Sequence, residues 1–220
     1  MKHVFEQGTS ENVLLLLHGT GGNEHDLLSL GRFIDPNASL LGVRGSVSEN
    51  GMPRFFKRLK EGVFDEKDLI ERTEELKNFI DEAAQMYGFS RENLIAAGYS
   101  NGANIAASLL FHYKDVLKGA VLHHPMVPIR GVKLPDMEGL PVFIGAGKRD
   151  PLCTKEESEE LYQYLTDAHA SVSLVWQEGG HQLTQQEAEQ ARTWYSVSDS
   201  YKKPLVCLSG LRVSFILQPS

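Results

Sequence analysis

The chain has 220 residues, a formal net charge of −7, and 41% apolar and 23% charged residues, which is length enough for one large α/β domain with a substantial core. Net acidity with scattered Lys and Arg excludes a nucleic-acid footprint, and having only two cysteines, Cys153 and Cys207, excludes a disulfide framework. Met1-Lys2-His3-Val4-Phe5-Glu6 lacks the apolar core of a signal peptide and no stretch reaches the roughly 18 apolar residues of a membrane span, so a cytoplasmic protein without stable membrane insertion is expected.

Val13-Leu14-Leu15-Leu16-Leu17 is an unbroken apolar run that suits a central parallel strand buried on both faces. The glycine-rich loop Gly19-Thr20-Gly21-Gly22-Asn23 follows, then a short helix over 26–33 and a strand over 39–43. Residues 46–64 interleave bulky apolar and basic residues, Arg54-Phe55-Phe56-Lys57-Arg58-Leu59 among them, without a clean period. They read as an irregular surface excursion whose aromatics pack onto the domain, and also as a lid or substrate-binding loop. The two readings are compatible.

The spacing of Leu69, Leu76, Phe79, Ile80 and Ala83 predicts a helix over 65–87, ended by Gly88 as a left-handed cap. Residues 93–97 read as a buried strand and 103–110 as a helix, with Gly98-Tyr99-Ser100-Asn101-Gly102 between them. Strands over 118–123, 140–145 and 171–176 and helices over 156–168 and 185–195 complete the alternation, which predicts parallel βαβ units throughout. Ser, Asp and Pro204 are expected to break the last helix at the tail, 196–220. Its short apolar runs, 205–208 and 213–217, fit edge strands, a partner contact or a non-native extension equally. A single domain over 1–195 and an atypical tail of unknown role are therefore expected.

Strand, sharp turn and helix are the context that makes G-x-S-x-G a nucleophile elbow, with Ser100 projecting above the sheet. A serine hydroxyl needs a base, and His181 stands out among eight histidines because it lies in a Gly-Gly-His loop between the last strand and the last helix. Asp150, in Gly147-Lys148-Arg149-Asp150-Pro151, leaves a strand where the orienting acid belongs; Asp136 and Glu178 are weaker rivals. The triad logic assigns attack to Ser100, proton transfer to His181 and orientation of the imidazole to Asp150. Backbone N–H groups of Asn101 and Thr20 are the candidate oxyanion donors. The glycine-rich loop lacks the nucleotide-binding patterns, which argues against a phosphate site.

Leu-His-Gly-x-Gly-Gly, Gly-Tyr-Ser-Asn-Gly, Gly-x-x-Asp-Pro and Gly-Gly-His together resemble the phospholipase/carboxylesterase family of small α/β-hydrolases. Glu49-Asn50-Gly51-Met52-Pro53-Arg54-Phe55-Phe56 and His123-His124-Pro125-Met126-Val127-Pro128 are similar to stretches of bacterial carboxylesterases, some associated with hydroquinone or quinone resistance. The resemblance covers roughly residues 2–195. It implies an α/β-hydrolase fold, with a mostly parallel central sheet and helices on both faces, and an ester hydrolase that uses no cofactor.

Met52, Phe55, Phe56, His124 and Met126 are candidate pocket residues, since strand exits face the ligand crevice of such a sheet. For His124 a packed, hydrogen-bonded strand-end role is an equal alternative. Adjacent strand residues point to opposite faces, so no metal site is expected at His123 and His124, and Cys153 reads as a structural thiol. The expected activity is serine-dependent hydrolysis of small or medium acyl esters. The alternatives are an acyl-thioesterase or lysophospholipase, or a non-catalytic ligand-binding protein of this fold. The expected partner is a small-molecule ester; oligomeric state is left open, a homodimer included.

Overall fold

The structure, a computed structural model, describes residues 1–202. In chain order, β1 (His3–Glu6), β2 (Val13–Leu17), α1 (Leu28–Ile34) and β3 (Ser39–Val43) lead to two hairpins. These are β4 (Val47–Glu49) with β5 (Met52–Arg54), and β6 (Arg58–Lys60) with β7 (Val63–Phe64). Then come α2 (Glu66–Tyr87), β8 (Leu94–Tyr99), α3 (Asn101–His112) and β9 (Gly119–His123). β10 (Pro141–Gly147), α4 (Lys155–Asp167), β11 (Ser171–Gln177) and α5 (Gln185–Lys202) follow.

The central sheet runs β1-β3-β2-β8-β9-β10-β11. All pairs are parallel except β1 with β3, which is antiparallel. Every residue of β2 is buried, and its side chains alternate between two cores. Val13, Leu15 and Leu17 join the core that contains the buried faces of α2, α3 and α4. Leu14 and Leu16 join the one formed with α1 and α5.

From β2 the chain steps outward to β3 and later returns to the other side of β2 as β8, which makes a switch point between β2 and β8. In such sheets the crevice lies at the carboxyl ends of those strands. Register brings the exits level: Leu17 faces Gly98, Tyr99 faces His123, and His123 faces Gly145.

The helix over 65–87 forms as its pattern requires. The Asp65 side chain accepts from the Asp68 N–H at its start, and Gly88 ends it at φ 71°. Three expectations need correction. The sheet is mostly parallel as expected, but the chain-order reading misses its one antiparallel strand, β1, a half-buried four-residue edge strand whose polar ends, His3 and Glu6, hide its period. Residues 46–64 are not irregular; their short strands are too brief for a hydrophobic period to register. α5 does not stop at Tyr195 but continues to Lys202. The Ser196 hydroxyl donates to the Thr193 carbonyl at 2.8 Å, and serines in a helix cost only tenths of a kcal/mol each. The apolar runs 205–208 and 213–217 lie outside the described residues.

Candidate active site

Ser100 is the cap residue between β8 and α3, held at φ 52° and ψ −114°. Few non-glycine residues occupy positive φ, and those that do are often at functional sites. The elbow requires both its glycines. A Cβ on Gly98 would lie 2.6 Å from the Gly102 carbonyl oxygen, and one on Gly102 would lie 2.0 Å from the Leu17 carbonyl oxygen. The Ser100 N–H donates to the His123 carbonyl at 2.9 Å, tying the turn to the neighbouring strand exit.

The loops after β10 and β11 are bound together by backbone hydrogen bonds, Lys148 N–H to Gln177 and Arg149 N–H to Gly179, at 2.8 and 3.0 Å. That zipper brings Asp150 to His181. The Tyr99 hydroxyl donates to the His181 carbonyl at 2.7 Å and anchors the histidine loop to the elbow strand. His181 Nε2 lies 2.8 Å from Ser100 Oγ, and His181 Nδ1 lies 2.8 Å from Asp150 Oδ2. The rivals are occupied on the surface, Asp136 with His169 and Glu178 with Lys148.

Asp150 is buried. Burial alone would push its pKa up, but bonds from His124, His181 and the N–H groups of Cys153 and Leu152 hold it well below the carboxylate range. His124, 0% exposed, donates from Nδ1 to the same Asp150 Oδ2 at 2.9 Å. It is therefore a partner of the acid and not a wall of the pocket. His124, Asp150 and His181 bring ligand-type atoms within 4.8 Å of one another, but each ring Nδ1 is committed as a donor to Asp150.

A cavity of about 220 Å³ opens above Ser100. Thr20, Asn101, Met126 and His181 line it, together with Arg54, Arg58, Phe64, Asn104 and Cys153. Asn101 opens α3, where main-chain N–H groups have no helical partner. The Thr20 loop is braced from both sides. His18 Nδ1 donates to the Gly19 carbonyl at 2.6 Å while its Nε2 accepts from Gly45 N–H at 3.0 Å. Burial lowers the pKa of that ring, in keeping with its acceptor role.

Of the other pocket candidates, only Met126 reaches the cavity. Met52 is 39% exposed and lies outside the lining. Phe55 and Phe56 are buried in the core, Phe55 against the His18 ring and Phe56 edge-on to Phe64. Phe55 serves through its backbone, donating its N–H to Asn101 Oδ1 at 2.7 Å. The stretch read as a substrate-binding loop contributes Arg54, Arg58 and Phe64 to the lining, although which of its side chains face the cavity was not visible in the sequence. Sequence reasoning missed Glu187, which looks like any polar helix residue. Cys153 is buried as expected of a structural thiol, and burial beside Asp150 pushes its pKa up.

The mostly parallel sheet, its switch point and its strand–turn–helix elbow define an α/β-hydrolase. The dienelactone hydrolase family model matches residues 53–211, and the chain belongs to that family. It is 82% identical over 195 residues to MhqD of Bacillus subtilis (strain 168), a protein provisionally named a hydrolase, covering 89% of this chain and 98% of that one. The crystal structure of the Bacillus cereus carboxylesterase is similar at 61% identity and a TM-score of 0.89, covering 90% of this chain and 94% of that one. A carboxylesterase from Mesorhizobium loti is similar at 30% identity and a TM-score of 0.82, covering 86% and 90%. The protein is thus a hydrolase of carboxylesterase-like fold and family. Among the described residues no helix is long and apolar enough to cross a membrane.

Proposed function

We propose that the protein is a serine carboxylesterase that acts on small or medium acyl esters through an acyl-enzyme. The observation that carries this reading is the unbroken line from Ser100 Oγ through His181 to Asp150, two contacts of 2.8 Å each, at the floor of the cavity. His181 Nε2 takes the Ser100 proton as Oγ attacks the ester carbonyl, and Asp150 stabilises the imidazolium that forms. The N–H groups of Asn101 and Thr20 receive the oxyanion. His181 then protonates the leaving alcohol, and later activates the water that releases the acid.

The cavity volume supports small substrates, because about 220 Å³ falls below the roughly 300–1,000 Å³ of sites for drug-sized ligands. A panel of aryl esters of increasing acyl length tests the reading, with Ser100→Ala as control. Turnover should fall steeply beyond medium acyl chains and by several orders of magnitude in the alanine variant. Equal turnover by that variant would remove Ser100 from the mechanism.

A further inference from the structure

Behind Asp150 lie three fully buried groups for which the acyl-transfer steps have no use: His123, His124 and Glu187. Glu187, in the first turn of α5, accepts from His123 Nδ1 through Oε1 at 2.5 Å. Its Oε2 lies 3.1 Å from His124 Nε2. Since His124 Nδ1 reaches Asp150 Oδ2, one hydrogen-bonded line runs Glu187–His124–Asp150–His181–Ser100. Neighbouring residues 123 and 124 meet one carboxylate because the strand ends between them. His124 sits at φ 52°, so the rule of opposite faces no longer applies to it.

Counting protons settles the charges. An ionised carboxylate only accepts, and each His124 ring nitrogen faces one, so both nitrogens carry protons and the ring is an imidazolium. His123 Nε2 is buried with no partner among the described residues, while its Nδ1 reaches Glu187 Oε1. Behind His181, the imidazolium of His124 thus lies between two carboxylates, Asp150 and Glu187. The site is also built at a cost: His124 takes a strained backbone, and Gly145 forgoes a Cβ that would lie 2.2 Å from Glu187 Oε1.

We propose that Glu187 and His124 are positioning residues for the general base. They fix Asp150 in one orientation and moderate the basicity of His181 by placing a cation on the oxygen to which His181 bonds. The proposal rests on the serine-hydrolase reading above. The groups facing His124 come from every element around it: Asp150 after β10, Glu187 on α5, His123 on β9, and Tyr99 on β8, its ring centroid 6.0 Å away. His181 stands 5.2 Å away after β11, and the Cys153 thiol donates to the His124 carbonyl at 3.0 Å. Burial pulls the His124 pKa down, but its bonds to Asp150 and Glu187 outweigh that and raise it to about 9.

Glu187→Gln in the full chain is the test. The amide can donate to His124 Nε2, leaving a neutral ring still bonded to Asp150 through Nδ1. Without the cation, Asp150 draws the His181 proton more strongly. The acid limb of kcat/KM on an aryl ester should move up by about one pH unit, with kcat reduced and KM within about twofold. Nitrogen-15 NMR of ring-labelled wild type should show a buried histidine protonated on both nitrogens at pH 7, with the signal lost in Glu187→Gln. An unmoved acid limb in a folded variant would overturn the proposal. So would the absence of that imidazolium in wild type, which needs no variant to fold. An active Ser100→Ala would sink the underlying reading instead; an inactive one beside an unmoved Glu187→Gln limb would sink this proposal alone.

Discussion

Arg54 Nη1 donates to Thr20 Oγ1 at 2.6 Å, joining the β4–β5 hairpin to the loop that would hold the oxyanion. Arg54 is 3% exposed, and its Nε lies 3.2 Å from both the Phe56 carbonyl and Glu49 Oε2. The Gly21 N–H completes the junction by donating to the Pro53 carbonyl at 2.9 Å. The hairpin thus works as a brace beneath the Thr20 loop.

Arg54→Met should therefore lower kcat/KM, mainly through kcat. A hydrogen bond to a charged group contributes about 1.5–3 kcal/mol, or roughly 10- to 160-fold in rate. Thr20→Val removes the other end of the contact, and the double variant should lose less than the sum of the two. A double-mutant cycle on ester hydrolysis measures the coupling. Additive losses would mean that Arg54 does not act through Thr20.

Two variants of Ser100, to alanine and to glycine, should differ in stability. Ser100 stands at φ 52° and ψ −114°, which an alanine must also endure and a glycine adopts freely. Strain of this kind costs about 1–3 kcal/mol, against which glycine gives back about 0.4–1 kcal/mol through the unfolded chain. Ser100→Gly should unfold at a higher urea concentration than Ser100→Ala. The reverse order would show that the elbow is not strained.

How much of this was legible follows from where each signal lives. Val13–Leu17, Ser100, Asp150 and His181 announce themselves because an apolar run or a glycine-flanked loop is local in sequence. The 46–64 region was legible only in part. Phe55 and Phe56 pack onto the domain, whereas Arg58 and Phe64 of the same region flank the cavity, and nothing local distinguishes the two pairs. Glu187 was illegible for a different reason. Its partners are 63 and 64 residues away, and only the crossing of α5 over Gly145 brings them to it.

The buried charges give stability a pH optimum. Burial pulls His124 down, but its two carboxylate partners raise it from 6.5 to about 9. Its contribution is therefore complete below pH 6.5 and lost as pH rises through about 9. Glu187 goes the other way: burial pushes it up, but bonds from His123 and His124 hold it at about 2 instead of 4.5. That contribution is present above pH 4.5 and lost as pH falls towards 2, with Asp150 adding a loss in the same direction. The melting temperature should be highest between about pH 4.5 and 6.5. His124→Gln should lack the alkaline decline from this source, and a parallel decline in both proteins would assign it elsewhere.

Gly145 makes room for the buried carboxylate of Glu187. In Gly145→Ala the new Cβ would lie 2.2 Å from Oε1 and 2.9 Å from Cδ of Glu187. Both carboxylate oxygens are held by histidines and the side chain is fully buried, so it has no vacant rotamer to take. Moving it strands His123 and His124 beside an acceptor they no longer reach. Overpacking of this sort costs about 1–3 kcal/mol. Urea unfolding should show that loss in the wild-type background and much less of it in Glu187→Ala, where the clashing atoms are gone. If the alanine costs as much in both backgrounds, the bare residue at 145 answers to the neighbouring backbone and not to Glu187.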